Sequence, residues 1–168
     1  MDKAGPKIHY TGYAPGAIGL ITACHAAYYN EAWGLDLSFE IQVAADLAEF
    51  MSRFDPSLDF LELAWAGDVL AGSIAVDGSQ PENEGARLRW FIVAPPFRKR
   101  GIGGTLLQEA VAFSKAAGRD PVFLWTFHGL DEARSLYEQA GFRLSREHEV
   151  FQWGQNILEQ RFDLQSTD

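Results

Sequence analysis

The segment that most constrains the fold of this chain runs from residue 93 to 105, where a strand-like run ends in a basic turn and glycines follow. Gly101, Gly103 and Gly104 open a helix, and a glycine backbone can approach an anion closely because it has no Cβ. The first turn of a helix also carries unpaired N–H groups and a positive partial charge, which suit phosphate. Three positive charges precede it, Arg98-Lys99-Arg100, in a chain of net charge −9. The segment predicts a phosphate site, with an ordinary strand-to-helix turn and a solvated basic patch as the alternative.

Two common phosphate loops do not match this segment. A P-loop needs a lysine after its last glycine, whereas Gly104 is followed by Thr105 and Leu106. A dinucleotide fingerprint needs a third glycine where this chain has Leu106. The segment is therefore neither a nucleoside triphosphate loop nor a dinucleotide fingerprint.

The rest of the chain alternates between helical and strand periodicity, with turns marked by glycine and proline. The spacing predicts helices over 17–33, 38–53, 102–117 and 131–140, and strands over 59–66, 69–77, 86–93, 121–127, 142–151 and 155–164. Ser38 and Asp131 are the expected helix caps, and Gly67-Asp68 predicts a hairpin. The run at 121–127 is apolar almost throughout, which predicts a central strand. The order indicates an α/β fold around a sheet of mixed direction.

Size and composition narrow the class of protein. A chain of 168 residues can form one domain with a substantial core. The single cysteine, Cys24, excludes an intrachain disulfide, and no metal-ligand cluster is predicted. No apolar run approaches the ~20 residues that a membrane helix needs, so we expect a cytoplasmic protein. The acidic balance argues against nucleic-acid binding and suits a cationic amine, although many acidic proteins are acidic for solubility alone.

Two motifs resemble those of the GNAT acyltransferase superfamily. Residues 98–103 match its acetyl-CoA signature [QR]-x-x-G-x-[GA], and 93–97 resemble its V-x-P-x-[YF] lead-in. Residues 133–142 are similar to A-x-x-L-Y-E-x-x-G-F. The resemblance covers about residues 10 to 164. It implies a GNAT acyl-CoA N-acyltransferase fold, with a mixed, mostly antiparallel sheet flanked by helices. Over 86–97 and 123–127 the chain is also similar to the acetyltransferase half of proteins in which such a domain is fused to a MarR-type regulator.

The resemblance also implies roles for individual residues. The backbone of Phe91, Ile92 and Val93 is expected to pair with the pantetheine arm of acetyl-CoA like an added strand. The pyrophosphate is expected on the basic turn and the helix start, at Arg98, Lys99, Arg100, Gly101, Ile102, Gly103, Gly104 and Thr105. Tyr137 is expected to protonate the leaving thiolate, for which a phenol is a sensible donor. A buried core aromatic is the alternative for Tyr137.

The general base is less well defined by the sequence. Many relatives place a carboxylate on the strand before the signature, where this chain has Arg87, which cannot act as a base. The candidates are Glu62, Glu82, Glu84, His128 and a chain of waters. An asparagine that the family often places seven residues before the tyrosine is Leu130 here, so one cofactor contact is expected to be missing.

Two arginines on one strand are candidates for the acceptor site. Arg87 and Arg89 alternate with Leu88 and Trp90, so we expect both guanidinium groups on one face and the other two side chains on the opposite face. They are predicted to bind a substrate carboxylate, as in an amino acid or small peptide, through bidentate hydrogen bonds. The alternative is that Glu62 or Asp59 neutralises them.

The end of the first helix is the other expected wall of the acceptor site. Tyr28, Tyr29 and Trp33 lie there, with core or lid packing as the alternative. The function predicted is acetyl transfer from acetyl-CoA to a primary amine of a small molecule or peptide by direct attack, with a backbone N–H near Ile92 or Val93 polarising the carbonyl. A non-catalytic acyl-CoA sensor is the alternative function, and a homodimer is left open.

Overall fold

A computed structural model describes residues 5–166 and shows four helices around a seven-stranded sheet over that range. The strands are β1 (Ile8–Thr11), β2 (Phe60–Ala66), β3 (Val69–Asp77), β4 (Ala86–Val93), β5 (Val122–Phe127), β6 (Arg143–Gln152) and β7 (Gln155–Leu164), and the helices are α1 (Ala17–Trp33), α2 (Leu37–Ser52), α3 (Ile102–Ala116) and α4 (Asp131–Gln139). Short 3₁₀ turns occupy Glu82–Glu84 and Pro95–Phe97. The strand order is β1-β2-β3-β4-β5-β7-β6.

The predicted elements agree with the observed ones to within one residue at each end. Among the strands and α-helices of residues 5–166, β1 alone, which is four residues long, was not predicted. The helix caps differ from expectation, because α2 is capped by Asp36, whose carboxylate accepts the Ser38 N–H at 2.9 Å. Asp131 does not cap α4 but lies in its first turn, where its charge complements the helix dipole.

The sheet is antiparallel except at its centre, where β4 and β5 run parallel. The two strands pair only from Ala86–Val122 to Leu88–Leu124, although both continue beyond those residues. The pairing of β4 with β3 is shifted between Ser73 and Ala75, and Trp90 has a positive φ of 48°, which together define a β-bulge. The central strands therefore separate towards their carboxyl ends.

Each face of the sheet has its own core. Helix α3 packs with Ile74, Val76, Leu88 and Phe162 on one face. Helices α1 and α2 cover the other face, where Phe50 packs against Trp90 with ring centroids 5.3 Å apart. The expectation that Trp90 lies opposite the two arginines is wrong. The bulge interrupts the alternation of β4, so that the Trp90 ring lies directly under the Arg89 guanidinium at 4.2 Å.

Candidate active site

The backbone of β4 exposes hydrogen-bonding groups in the gap between β4 and β5. The Trp90 carbonyl accepts a hydrogen bond from a side-chain hydroxyl of β3 at 2.7 Å, and the Ala94 N–H donates to a backbone carbonyl of β3 at 2.8 Å. The Ile92 carbonyl also faces β3, at a glycine. Since successive residues of a strand point their backbone groups to opposite sides, Phe91 and Val93 face the gap and Ile92 does not. The gap offers an extended ligand two residues with which to pair.

A cavity of about 420 Å³ continues from this gap to the start of α3, and we call it the first cavity. It is lined by Tyr28, Tyr29, residues 91–93, 97–99, 101–104 and 129–133, and Leu136. Gly101 adopts the left-handed conformation that lets the chain enter the helix, with φ 79°. The N–H groups of Ile102, Gly103 and Gly104 belong to the unpaired first turn, so they are available to an anion.

Thr105 and Gly103 have structural roles at this helix start. The Thr105 N–H and its hydroxyl both donate to the Gly101 carbonyl at 3.1 Å, so neither is a free donor. A Cβ on Gly103 would lie 2.9 Å from the Leu136 side chain, which shows that this glycine permits close packing of α3 against α4. A Cβ on Gly101 or Gly104 would meet nothing within 4 Å, and both residues are open to solvent.

The three basic residues before α3 point in different directions. Arg98 lies over the ring of Tyr28 at 4.5 Å and donates from Nε to the last carbonyl of β4 at 3.2 Å. Lys99 has a left-handed φ of 62° and lines the first cavity. Arg100 was expected at the phosphate site, but its guanidinium donates to the Pro6 carbonyl at 2.9 Å and does not line the cavity. Arg100 is therefore directed towards the N-terminal segment.

A second cavity, of about 230 Å³, adjoins the first. Tyr29, Phe91, Leu130 and Ala133 line both cavities, so their boundary lies at the gap between β4 and β5. The other residues of the second cavity are His25, Phe39, Gln42, Val43, Asp46, 87–90, 124–127, Tyr137, Gln152, Trp153, Ile157 and Glu159. Elements of the fold that are distant in sequence build this cavity, and most of its surface is aromatic or aliphatic.

Tyr137 lies in the second cavity beside the boundary. It is 6% exposed, and its ring packs against those of Phe91, Phe142 and Phe162 at centroid distances of 5.8 to 6.1 Å. Burial raises the pKa of Tyr137 well above its ordinary value, and nearby Tyr29 adds to the increase. The phenol is therefore protonated at neutral pH and can donate a proton or a hydrogen bond into the cavity.

Arg89 is neutralised within the protein, but not by the predicted partners. It pairs with Asp77 at 3.2 Å and with Asp46 at 3.3 Å. Glu62 and Asp59 were the expected partners. Asp59 instead pairs with Arg53 at 3.6 Å and accepts two backbone N–H groups. This network joins α2 to β3 and β4, so Arg89 has a structural role.

Arg87 lines the second cavity and has no carboxylate within ion-pair distance among the described side chains. Its Nε is buried without a hydrogen-bond partner. Burial and the neighbouring charge of Arg89 lower the pKa of Arg87 to about 10, so the group is still protonated at neutral pH. One arginine of the predicted pair is thus committed to the fold, and the other is presented to the cavity.

None of the predicted bases whose side chains are described lines either cavity. Glu84 and His128 lie outside them, and the side chain of Glu82 lies outside the described part of the chain. Glu62 faces the α3 side of the sheet, where burial and Glu109 raise its pKa. The predictions rested on proximity in sequence, and alternation along β2 places Glu62 on the wrong face.

The second cavity contains three groups that sequence reasoning missed as candidate bases, namely His25, Asp46 and Glu159. Asp46 is paired with Arg89, and Glu159 with His148 at 3.1 Å. The His25 ring nitrogen Nδ1 lies 2.8 Å from the Ile21 carbonyl, which only accepts, so Nδ1 carries the hydrogen and Nε2 keeps its lone pair. Burial lowers the pKa of His25 to about 4, so the ring is neutral at pH 7. Its position on the buried stripe of α1 was the only signal in the sequence.

The aromatic residues at the end of α1 divide between the two cavities. Tyr28 lines the first cavity and Tyr29 lines both. Trp33 was expected to contact the acceptor, but it lines neither cavity. Its ring packs on Phe127 at 5.4 Å and covers Gly129, where a Cβ would come within 2.3 Å of it. Trp33 therefore supports the loop before α4.

Comparison with known proteins places this arrangement in context. A family model described as the acetyltransferase (GNAT) family matches residues 23–142. The chain is 28% identical over 116 residues to YvbK of Bacillus subtilis, an uncharacterized N-acetyltransferase, and the match spans 63% of this chain and 74% of YvbK.

Solved structures share the fold over almost the whole chain. A putative acetyltransferase of the GNAT family from Desulfovibrio desulfuricans aligns with a TM-score of 0.71 and 25% identity, covering 95% of this chain and 99% of that one. The structure of yncA from Salmonella typhimurium, a putative acetyltransferase with its cofactor acetyl-CoA, aligns with a TM-score of 0.74 and 12% identity over 94% of this chain and 93% of that one. Among the residues that the structure describes, no helix is long and apolar enough to cross a membrane.

Proposed function

Because the chain belongs to the acetyltransferase (GNAT) family, we propose that it binds acetyl-CoA in the first cavity and transfers the acetyl group to a primary amine held in the second. The observation that carries this proposal is the boundary between the two cavities. It lies where β4 and β5 separate, next to Phe91 and beside Tyr137.

The residues of the first cavity fit acetyl-CoA. Phe91 and Val93 present backbone groups to the gap, where the pantetheine arm can add as a strand. The unpaired N–H groups of Ile102, Gly103 and Gly104, with Lys99 beside them, suit a pyrophosphate. Bound acetyl-CoA supplies a thioester that an amine can attack directly. Since Ile92 faces β3, the N–H that polarises the carbonyl belongs to Phe91 or Val93.

Three side chains of the second cavity act on the protons of the reaction. Tyr137, kept protonated by burial, donates to the departing thiolate. His25 accepts a hydrogen bond from the amine through Nε2 and orients its lone pair towards the thioester. Because the pKa of His25 is about 4, it positions the amine rather than taking its proton. The proton that the amine loses is assigned to Glu159, the cavity carboxylate that is not paired with an arginine.

Several finer features belong to this proposal. Residues 1–168 form a single acetyltransferase domain that works in the cytoplasm, does not bind nucleic acid, and acts on a small molecule or a peptide. Its central strands, over 86–97 and 123–127, resemble the acetyltransferase half of MarR fusion proteins, and we propose that this chain is related to that half. A homodimer is compatible with the exposed β6 edge, where Phe151 is 71% exposed.

The proposal is tested by thiol release from acetyl-CoA with a pooled library of primary amines, followed by mass spectrometry to identify the acetylated product. We expect release that depends on an amine and that Tyr137→Phe strongly reduces. Binding of acetyl-CoA without thiol release for any amine would favour the sensor alternative instead.

A further inference from the structure

We infer that the acceptor amine carries a carboxylate several bonds away from its nitrogen, and that Arg87 binds this carboxylate in the second cavity. The inference rests on the proposed acetyl transfer and adds the chemical class of the acceptor. Arg87 differs from three other arginines that pack beside the sheet, Arg53, Arg89 and Arg161.

Each of these three arginines has a carboxylate partner within the chain. Arg53 pairs with Asp77 at 2.9 Å, Arg89 pairs with the same carboxylate at 3.2 Å, and Arg161 pairs with Asp163 at 2.8 Å. Arg87 has no such partner among the described side chains, and its Nε is buried without a hydrogen bond. Leaving a buried donor unsatisfied is costly, so a ligand that satisfies it gains affinity.

The acidic groups that surround Arg87 are committed elsewhere. Asp77 serves Arg53 and Arg89, Asp46 serves Arg89, and Glu159 pairs with His148. None of them lies within ion-pair distance of Arg87. An anion from outside the chain is therefore the natural partner. The planar guanidinium matches a carboxylate through two parallel hydrogen bonds.

The strand itself sets the length of the acceptor. Arg87 precedes Phe91 by four residues, one of which is taken up by the bulge at Trp90. Three strand steps correspond to about 10 Å between the Cα atoms of Arg87 and Phe91. Since the acetyl group is transferred at Phe91, the carboxylate and the amine of the acceptor must be separated by several bonds. An ω-amino acid or the N-terminal amine of a short peptide meets this requirement, whereas the α-amine of a free amino acid does not.

The lining of the second cavity is more apolar than polar, although Gln42, Thr126 and Gln152 also contribute to it. Phe39, Trp125, Trp153 and Ile157 line the cavity, and none of them offers a carboxylate or an ammonium. A methylene chain or an apolar side chain packs there without losing hydrogen bonds. The cavity thus has an anion site at one end, an amine site at the other, and an apolar spacer region between them.

The test uses a series of ω-amino acids of increasing chain length and the n-alkylamines that match them. Acetylation and binding to the protein saturated with CoA are measured for the wild type, Arg87→Gln, Arg87→Lys and a control, Arg146→Gln, whose exposed side chain lies on β6. We expect kcat/KM to peak at an intermediate chain length, about 10²-fold above the matched alkylamine. Arg87→Gln should remove this preference through KM, Arg87→Lys should restore part of it, and the control should keep it.

Equal kcat/KM values for amino acid and alkylamine in the wild type would overturn the inference. So would a preference that survives in Arg87→Gln, or an equal loss for both acceptors, which indicates a structural role. Unchanged acetyl-CoA affinity shows that a variant is folded. If nothing is acetylated, the proposed function fails, and the binding measurement still decides the inference: amino acids must bind the wild type and not Arg87→Gln.

Discussion

The two cavities meet at Phe91 but are built in different ways. The first is formed largely by two continuous stretches of chain, 91–104 and 129–136, and it presents mainly backbone groups at the start of α3. The second draws side chains from α1, α2, β4, β5, α4, β6 and β7. A site made of backbone is constrained by φ, ψ and the absence of Cβ atoms, whereas a site made of side chains changes with each substitution.

This difference predicts that cofactor binding and acceptor choice respond to different kinds of substitution. The first cavity depends on a helix start and a strand edge, which the fold maintains for its own stability. The second depends on which charges remain unpaired after the network of Asp46, Asp77 and Arg89 has formed. Substitutions in the two cavities should therefore separate cofactor affinity from turnover and acceptor choice.

The largest expected effect is on the first cavity, from Gly104→Glu. A Cβ at Gly104 meets nothing within 4 Å, and a carboxylate in the first turn of α3 interacts favourably with the positive end of the helix dipole. The variant should therefore fold. The same carboxylate lies where the pyrophosphate is proposed, and like charges repel by several kcal/mol. We expect acetyl-CoA affinity, measured by calorimetry, to fall roughly 10²- to 10³-fold.

The uncharged isostere Gly104→Gln separates charge from bulk. It should lose much less affinity than the glutamate, and Gly104→Ala should lose almost none. If folded Gly104→Glu bound acetyl-CoA with wild-type affinity, the proposed position of the pyrophosphate at the start of α3 would be wrong.

The second largest effect is expected from Tyr137→Phe in the second cavity. The ring keeps its packing against Phe91, Phe142 and Phe162, while the proton donor is lost. We expect kcat to fall about 10²-fold, with acetyl-CoA affinity almost unchanged. Steady-state kinetics and calorimetry measure the two quantities. Tyr28→Phe in the first cavity is the matched control and should keep kcat. Equal kcat for Tyr137→Phe and wild type would assign the proton to water.

The same contrast governs what the sequence could predict. Helix and strand limits followed from hydrophobic periodicity, and residues 98–104 identified the first cavity because a local motif encodes local backbone geometry. The sequence did not predict that Trp90 joins the α2 face, because a single bulge reverses the alternation along a strand. Nor did it identify His25 as a residue of the second cavity, because only the tertiary fold brings α1 next to β4.

A smaller effect is expected on stability, through His25 in the second cavity. Its pKa is about 4 in the folded protein and near its ordinary value of 6.5 in the unfolded chain. Between these values only the unfolded chain binds the proton, so the free energy of unfolding decreases as pH falls from 6.5 towards 4. This group contributes a slope of about 1.4 kcal/mol per pH unit.

The variant His25→Gln tests this assignment by urea unfolding at several pH values. Between pH 4 and 6.5, the free energy of unfolding of this variant should change less steeply with pH than that of the wild type, by the slope that corresponds to one proton. Above pH 7, where neither state of His25 is protonated, the two slopes should agree. Identical slopes throughout would show that His25 takes up its proton equally in both states.

The smallest effect separates two neighbours in the basic turn. Lys99 lines the first cavity, whereas the Arg100 guanidinium is held by the Pro6 carbonyl outside it. Lys99→Gln should weaken acetyl-CoA binding several-fold, most clearly at low ionic strength, because the lost attraction to phosphate is screened by salt. Arg100→Gln removes the same charge one residue further along and should change the affinity by less than about threefold, in keeping with an exposed charge. Calorimetry in a salt series distinguishes the two variants. If Arg100→Gln weakens binding as much as Lys99→Gln, both charges act at long range and the first cavity is not selective between them. If only Lys99→Gln weakens acetyl-CoA binding, the direction in which each side chain leaves the turn decides how much its charge contributes to the affinity.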